Sequence, residues 1–396
     1  MDSGNTAWML MACALVLFMT PGLAFFYGGL VRNRNVLSTI MLSFMAMAVV
    51  SIVWVLWGYS LAFGDGNELI GDFSVLGLEG LAGDDLLFAT FQMMFAIITP
   101  ALITGAIVER FKFTTYLIFL VLWITLVYAP ICHWVWAGNG WIFDMGALDF
   151  AGGTVVHINA GVAAIAAAQL VGKRRNPAPE PHNVPYVVLG AAILWFGWFG
   201  FNAGSGLAAN EQAVSAFIVT NIAAATAALT WGLLSHIQTG RMSAIGVATG
   251  AVAGLVAITP ASGFVGVMGA LGVGFGAGIL CYFAVLLRAK TNLDDALEVA
   301  AVHGMGGLWG ALATGIFAVE AIGGTAGLIE GNAEIMGTQA IAVLATIGYS
   351  LVVTAIILKV LDLIPGLGLR AAETSEDQGL DLAMHGERGY VSDGAD

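Results

Sequence analysis

Long apolar runs, broken by short polar or Gly/Pro-rich segments, extend along almost the whole chain. Eleven can be traced, near residues 6–31, 36–63, 85–109, 114–137, 150–172, 185–206, 211–236, 243–259, 263–288, 297–319 and 338–364. A helix needs about 20 apolar residues to cross roughly 30 Å of hydrocarbon, and most of the runs approach that length, although the eighth is short. The pattern predicts an all-α integral membrane protein with eleven transmembrane helices over residues 1–364 and a polar tail over 365–396. The remaining loops leave no space for a soluble domain.

Composition agrees with this reading. Hydrophobic residues make up 59% of the 396 and charged residues only 10%, against about 25% charged in soluble domains. Mean hydropathy is +0.89. Glycine is abundant, with 53 residues, as expected where membrane helices pack backbone to backbone. The three cysteines, Cys13, Cys132 and Cys281, fall inside apolar runs with no paired spacing. They form neither a disulfide framework nor a zinc motif.

The charges set a direction. All 13 Lys and Arg residues fall at or after the ends of odd-numbered runs or in the tail: Arg32, Arg34, Arg110, Lys112, Lys173, Arg174, Arg175, Arg241, Arg288, Lys290, Lys359, Arg370 and Arg388. The loops after even-numbered runs carry none. The positive-inside rule then predicts an N-terminus outside and a C-terminus in the cytoplasm. No cation precedes the first run, which therefore does not read as a cleaved signal peptide. The opposite loops are acidic, with Asp65, Glu68, Asp72, Glu79, Asp84 and Asp85 before the third run and Glu320, Glu330 and Glu334 before the eleventh. Such a vestibule concentrates cations, or the acids are simply tolerated outside; the residues alone leave both open.

Two histidines stand at membrane depth, His157 in the fifth run and His303 in the tenth. Each follows a valine and precedes a glycine four residues on, Gly161 and Gly307. Halves of about 6–172 and 185–319, each of five helices, would have opposite orientation, with 338–364 as an extra helix. Inverted repeats of this kind carry their site near the midplane where the halves meet. An ionisable group in hydrocarbon is costly and marks a pathway by default. Neutral imidazoles there would offer one donor and one acceptor each to a small polar solute or a relayed proton. A packing role and haem ligation are the alternatives. His133, His182, His236 and His385 lie at run ends or in polar segments.

Aromatic residues gather near the acidic ends of the runs: Trp134, Trp136 and Trp141; Phe88, Phe91 and Phe95; Trp195, Trp198 and Phe201, with Ser205 nearby. Aromatic faces attract a desolvated cation, but an interfacial belt has the same composition.

Four motifs narrow the reading: DFAGGTVVHINAG (Asp149 to Gly161), GWFGFNAGS (Gly197 to Ser205), ITPASGFV (Ile258 to Val265) and VHGMGGLWGAL (Val302 to Leu312). They closely resemble the ammonium transporter family (Amt/Mep/Rh), in particular its microbial Amt branch, from YGGLVRNRN onward to the tail. The resemblance implies an eleven-helix protomer with an inverted five-plus-five repeat, one pore per subunit and a homotrimer in the cell (plasma or inner) membrane. It also implies an ammonium recruitment site at Trp136, Phe95 and Ser205, a gate at Phe95 and Phe201, and a twin-histidine pore pair at His157 and His303. Asp149 matches the acid opening the fifth helix, where it can cap the helix N-terminus. Phe91 and Gln92 match residues at the entrance, and Trp198 one behind the gate. The tail, AAETSEDQGLDLAMHGERGY, would read by itself as disordered; it resembles a cytoplasmic segment that packs under the trimer and can meet a PII-type signalling protein.

The expected function is to recruit ammonium, deprotonate it and conduct ammonia through a hydrophobic pore lined by the twin histidines, with or without separate transfer of the proton, and with methylammonium as an analogue; an ammonium sensor and a neutral gas or water channel are the alternatives. No nucleophile elbow, phosphate loop or metal cluster is present in the sequence, so catalysis, cofactors and nucleic-acid binding are not expected.

Overall fold

The computed structural model describes residues 1–175, 177 and 180–390; the end of the polar tail, residues 391–396, lies outside them. Among the described residues the chain is helical, with one isolated bridge between Phe111 and Arg370 and no strand. Helix α1 is Ser3–Leu30. Helix α2 covers 36–63, as Val36–Val53, a π-helical turn at Trp54–Gly58 and Tyr59–Phe63. Then follow α3 (Gly83–Ile107) and α4 over 113–136, with a second π-helical turn at Ile124–Tyr128. Helix α5 covers 153–171, α6 is Val184–Gly204, α7 is Glu211–Thr239 and α8 is Ala244–Ile258. Helix α9 is Val267–Arg288, α10 covers 300–317 and α11 is Glu334–Leu363.

Among the described residues nine helices are long and apolar enough to cross a membrane, α1 to α7, α9 and α11. Helix α8 is a shorter apolar helix, and α10 is divided between a π turn and a 13-residue α-helix. Many starts follow sequence signals for capping. The Asp2, Asn183, Asn210 and Ser243 side chains accept backbone N–H groups of the first turns of α1, α6, α7 and α8. Glycine then allows backbones to meet. A Cβ on Gly190 of α6 would lie 2.2 Å from the backbone nitrogen of Phe26 in α1, so this pair packs more closely than any side chain permits.

At the basic end of the bundle, Glu109 follows α3 in the left-handed region (φ 70°) with its carboxylate buried. Its Oε1 accepts Arg32 N–H (3.0 Å), Arg32 Nε (3.0 Å) and Asn35 Nδ2 (2.8 Å), and Oε2 accepts Arg174 (3.3 Å). Burial would raise this carboxyl's pKa, but the donors and the Arg32 and Arg174 cations outweigh it and hold the group below its ordinary value. The tail is ordered against the same end. Lys112 N–H donates to Leu369, Ala371 N–H donates to Arg110, and Ser38 N–H donates to Asp381 Oδ1 at 2.7 Å.

Glu109→Gln should lower stability by about 3 kcal/mol, because it leaves two half-buried guanidiniums short of their anion. Thermal unfolding in detergent checks this. A carboxyl with a depressed pKa stabilises above its unfolded value and loses that contribution as pH falls. The gap between wild type and variant should therefore close as pH drops below about 4.5.

Candidate functional site

Both intramembrane histidines sit on wide π turns rather than on regular helix. His157 lies in Gly153–Ile158 at the start of α5, and His303 in Ala300–Gly304 at the start of α10. A π turn adds a residue to the helical turn and re-aims the side chains around it, and such turns recur at functional positions. The first is anchored by Asp149, whose Oδ1 accepts Gly152 N–H (2.8 Å) and Gly153 N–H (2.6 Å). Its Oδ2 accepts the N–H groups of Thr154 (2.8 Å) and Val155 (3.3 Å) and also the Thr154 hydroxyl. Gly152, at φ 116°, makes the sharp turn into the helix, in a region open to glycine.

The two helices cross where neither has a side chain. A Cβ on Gly161 would lie 2.3 Å from Gly304 N and 2.4 Å from its Cα, and one on Gly307 would lie 3.0 Å from His157 Cβ. This close crossing brings the imidazoles into contact, with Nδ1 to Nδ1 at 3.2 Å and ring centroids 5.3 Å apart. One ring donates its Nδ1–H and the other accepts.

Above the pair, on the side away from the basic end, lies a column of rings. His157 stacks on Trp198 (5.5 Å) and on Phe201 (6.0 Å). Phe201 faces Phe95 at 4.3 Å, Phe95 meets Phe91 at 4.9 Å, and Phe95 meets the edge of Trp136 at 5.7 Å. Phe95 and Phe201 are buried, whereas Trp136 and Ser205 are partly exposed. Trp136 donates its indole N–H to the Asp149 carbonyl (2.9 Å), and Trp198 donates to Thr259 Oγ1 (2.8 Å). The Ser205 hydroxyl donates to the Phe201 carbonyl (2.9 Å), which leaves the oxygen's lone pairs for a further donor. Gln92 is buried, and its Oε1 has no protein partner.

A cavity of about 10 Å³ runs beside the rings, lined by Met19, Leu23, Ile98, Leu102, Trp198 and the two histidines among others. That is room for about one water-sized molecule, and apart from the imidazoles its walls are apolar. His157 Nε2 is buried with no partner. His303 also lines a larger cavity of about 220 Å³ toward the basic end, with Tyr27, Arg174, Thr249 and Glu298. His303 therefore stands between a tight apolar space and a wider one that charged groups also line.

Some sequence candidates fall elsewhere. Phe88 packs on Phe63, and Trp134 packs on Trp141 and Tyr349. His133 bridges two backbone segments, with Nδ1 2.9 Å from the Ala62 carbonyl and Nε2 2.6 Å from that of Asn67. His182 contacts the Val31 carbonyl and Tyr390, while His385 packs on Phe113. Sequence reasoning passed over Thr259, Gly304 and Asp295. Asp295 stands eight residues before His303, as Asp149 stands eight before His157, and that repeated spacing was the available signal.

A helical bundle of this hydropathy, with an apolar interior column, defines a multi-pass membrane protein. Comparison with known proteins specifies it further. The chain belongs to the Ammonium Transporter Family, whose model matches residues 7–390. It is 47% identical over 395 residues to the Archaeoglobus fulgidus ammonium transporter Amt1, covering 99% of this chain and 100% of that one. It is 48% identical over 403 residues to a Bacillus subtilis ammonium transporter, covering 98% and 99%. The crystal structure of Candida albicans Mep2 matches with a TM-score of 0.90 at 37% identity, over 95% of this chain and 88% of that one. A structure described as a sensor Amt protein matches with a TM-score of 0.90 at 31% identity, over 96% and 98%.

The crossing yields an asymmetric expectation. Gly161→Ala must push α5 and α10 apart, at a cost of about 1–3 kcal/mol. Gly304→Ala meets its nearest atom at an ordinary 3.6 Å and should cost clearly less. Melting temperatures of the two variants in one detergent decide this, and equal losses would contradict the crossing geometry.

Proposed function

We propose that this chain is an ammonium transporter that recruits the cation at an aromatic and hydroxyl site, strips its proton and conducts ammonia past the paired imidazoles. The observation carrying this reading is the continuous column from Trp136 through Phe95 and Phe201 to His157 and His303, beside a cavity for about one small molecule. Ammonium would sit against the Trp136 and Phe95 rings while the Ser205 oxygen accepts one of its N–H groups. A cation attracted to an aromatic face gains about 0.5–2 kcal/mol. That does not offset dehydration in an apolar cavity, which costs a bare ion several kcal/mol or more. The proton therefore passes to water on the acidic side of the Phe95–Phe201 gate, and the neutral molecule enters.

In this reading Asp149 shapes the site rather than binding the substrate, since both of its oxygens are occupied by α5 donors. Phe91 and Gln92 belong to the entrance, and Trp198 backs the gate and braces His157. The chain crosses the membrane eleven times, with the acidic loops and N-terminus outside and the basic end and 365–396 inside. Residues 1–364 are the transport domain, with halves at about 6–172 and 185–319 and the extra helix at 338–364. The protomer works within a homotrimer in the plasma or inner membrane, and a PII-type protein can meet its cytoplasmic face. The positive-inside charge distribution, the position of the tail and the family relationship support these assignments.

The solved sensor Amt protein, at 31% identity, favours one second reading, an ammonium sensor. Uptake of methylammonium into liposomes, with the current on an ammonium pulse, separates the possibilities. Binding without transport favours the sensor; a current shows that the proton follows by a separate route, and transport that no longer depends on Trp136 and Ser205 favours a neutral gas or water channel. Under the proposed mechanism, replacing His157 and His303 together with leucine abolishes ammonium-specific transport, and wild-type flux in that variant would overturn it. Ser205→Ala removes one hydrogen bond to a charged ligand, so KM should rise about tenfold with a smaller change in maximal rate.

A further inference from the structure

The acid, π turn and imidazole recur in both halves of the chain, but the two acids are in different states. Asp149 uses both oxygens, as described above. Asp295 is fully buried, and its Oδ2 accepts Ala300 N–H at 2.7 Å. Its Oδ1 is buried and has no hydrogen-bond partner among the described residues. A carboxylate oxygen left in that condition is costly, whereas a protonated oxygen is far less so.

Among the described residues no cation ion-pairs with it. The charged and titratable groups facing Asp295 are Arg288 from α9, Arg110 after α3, Tyr27 from α1 and Glu298 from its own segment. Arg288 is committed to Glu298 through Nε and a second, short contact. Arg110 spends its donors on the carbonyls of Gly172, Val108, Ala106 and Asp294. The Tyr27 hydroxyl donates to the Leu102 carbonyl.

We propose that Asp295 is a neutral carboxylic acid that fixes the π turn of α10 and thereby positions His303 against His157. Burial pushes its carboxyl pKa upward, against the pull of Arg288 and Arg110. The proton lies on the otherwise bare Oδ1, and Oδ2 remains the acceptor for the turn. The inner imidazole is thus set by an uncharged acid and the outer one by an acid with both oxygens hydrogen-bonded. The role in transport rests on the reading of His303 as a pore residue, but the protonation state does not.

Asp295→Asn keeps an acceptor for Ala300 and places an amide where the protonated oxygen was, so it mimics the neutral acid. Transport of methylammonium should stay within about twofold of wild type, whereas Asp295→Ala should lose at least about tenfold and admit potassium. The infrared difference spectrum between wild type and Asp295→Asn should contain the carbonyl stretch of a protonated carboxyl at neutral pH. That readout is independent of transport, so it stands even if the pore assignment fails or if Asp295→Ala does not fold. Absence of the band, or an Asn variant as impaired as the Ala variant, overturns the neutral acid. An Ala variant with wild-type rate and selectivity overturns the positioning role.

Discussion

The contact between two imidazoles in a cavity that holds about one water governs the rest of this structure. A polar ring with no partner in such a space would lose the hydrogen bonds that water once gave it. Each ring meets that requirement at Nδ1 through the other, so the two helices that carry them must come within a few ångströms. A side chain at Gly161 would forbid that approach, since a Cβ there would lie 2.3 Å from the Gly304 nitrogen. The wide turns at Gly153–Ile158 and Ala300–Gly304 then aim the rings inward. Each turn in turn depends on a carboxyl eight residues ahead of its histidine. Position, backbone class and capping acid form one chain of dependence, repeated in the two halves.

Charge is kept out of this column and concentrated beyond it. The ion pairs among Glu109, Arg32, Arg174 and Asp294 occupy the basic end, where the tail folds over them. The acidic loops occupy the opposite end. Between the two, the largest buried side chains are aromatic, with Trp54, Trp123, Trp198, Phe95 and Phe201 among them. This segregation follows from desolvation: an ion pair near the polar boundary keeps part of its hydration, while one in the column would have only its partner.

The sequence made much of this legible because hydrocarbon makes polar residues conspicuous. His157 and His303 stood out by depth and by their shared valine and glycine neighbours. The helix limits followed the apolar runs to within a few residues, since a membrane helix has little else to end it. Asp295 was hidden for the same reason. It falls just ahead of the tenth run, in a stretch that reads as a polar loop, and only folding inserts it beside α10. The aromatic residues were ambiguous for a different cause. Trp134 and Trp136 are two residues apart on one helix, so composition cannot tell that one packs on Trp141 and the other reaches Phe95. The tail's low hydrophobicity suggested disorder, yet Asp381 and Leu380 dock on the start of α2 through backbone donors that no composition reveals.

The pairing of the rings also bears on what the proposed pore can select. Two neutral imidazoles own two N–H groups among four nitrogens, and one N–H lies in the Nδ1–Nδ1 bond. The remaining two nitrogens are thus one donor and one bare acceptor, whichever ring holds the shared proton. A solute with both N–H groups and a lone pair can satisfy both at once. Potassium has neither, and it would have to shed water in a space lined by Leu23, Ile98 and Leu102. Ammonium has donors but no lone pair, and it satisfies only the acceptor. In the proposed mechanism, discrimination at this depth would therefore be set by the hydrogen-bond inventory of the pair, after recruitment at the aromatic site.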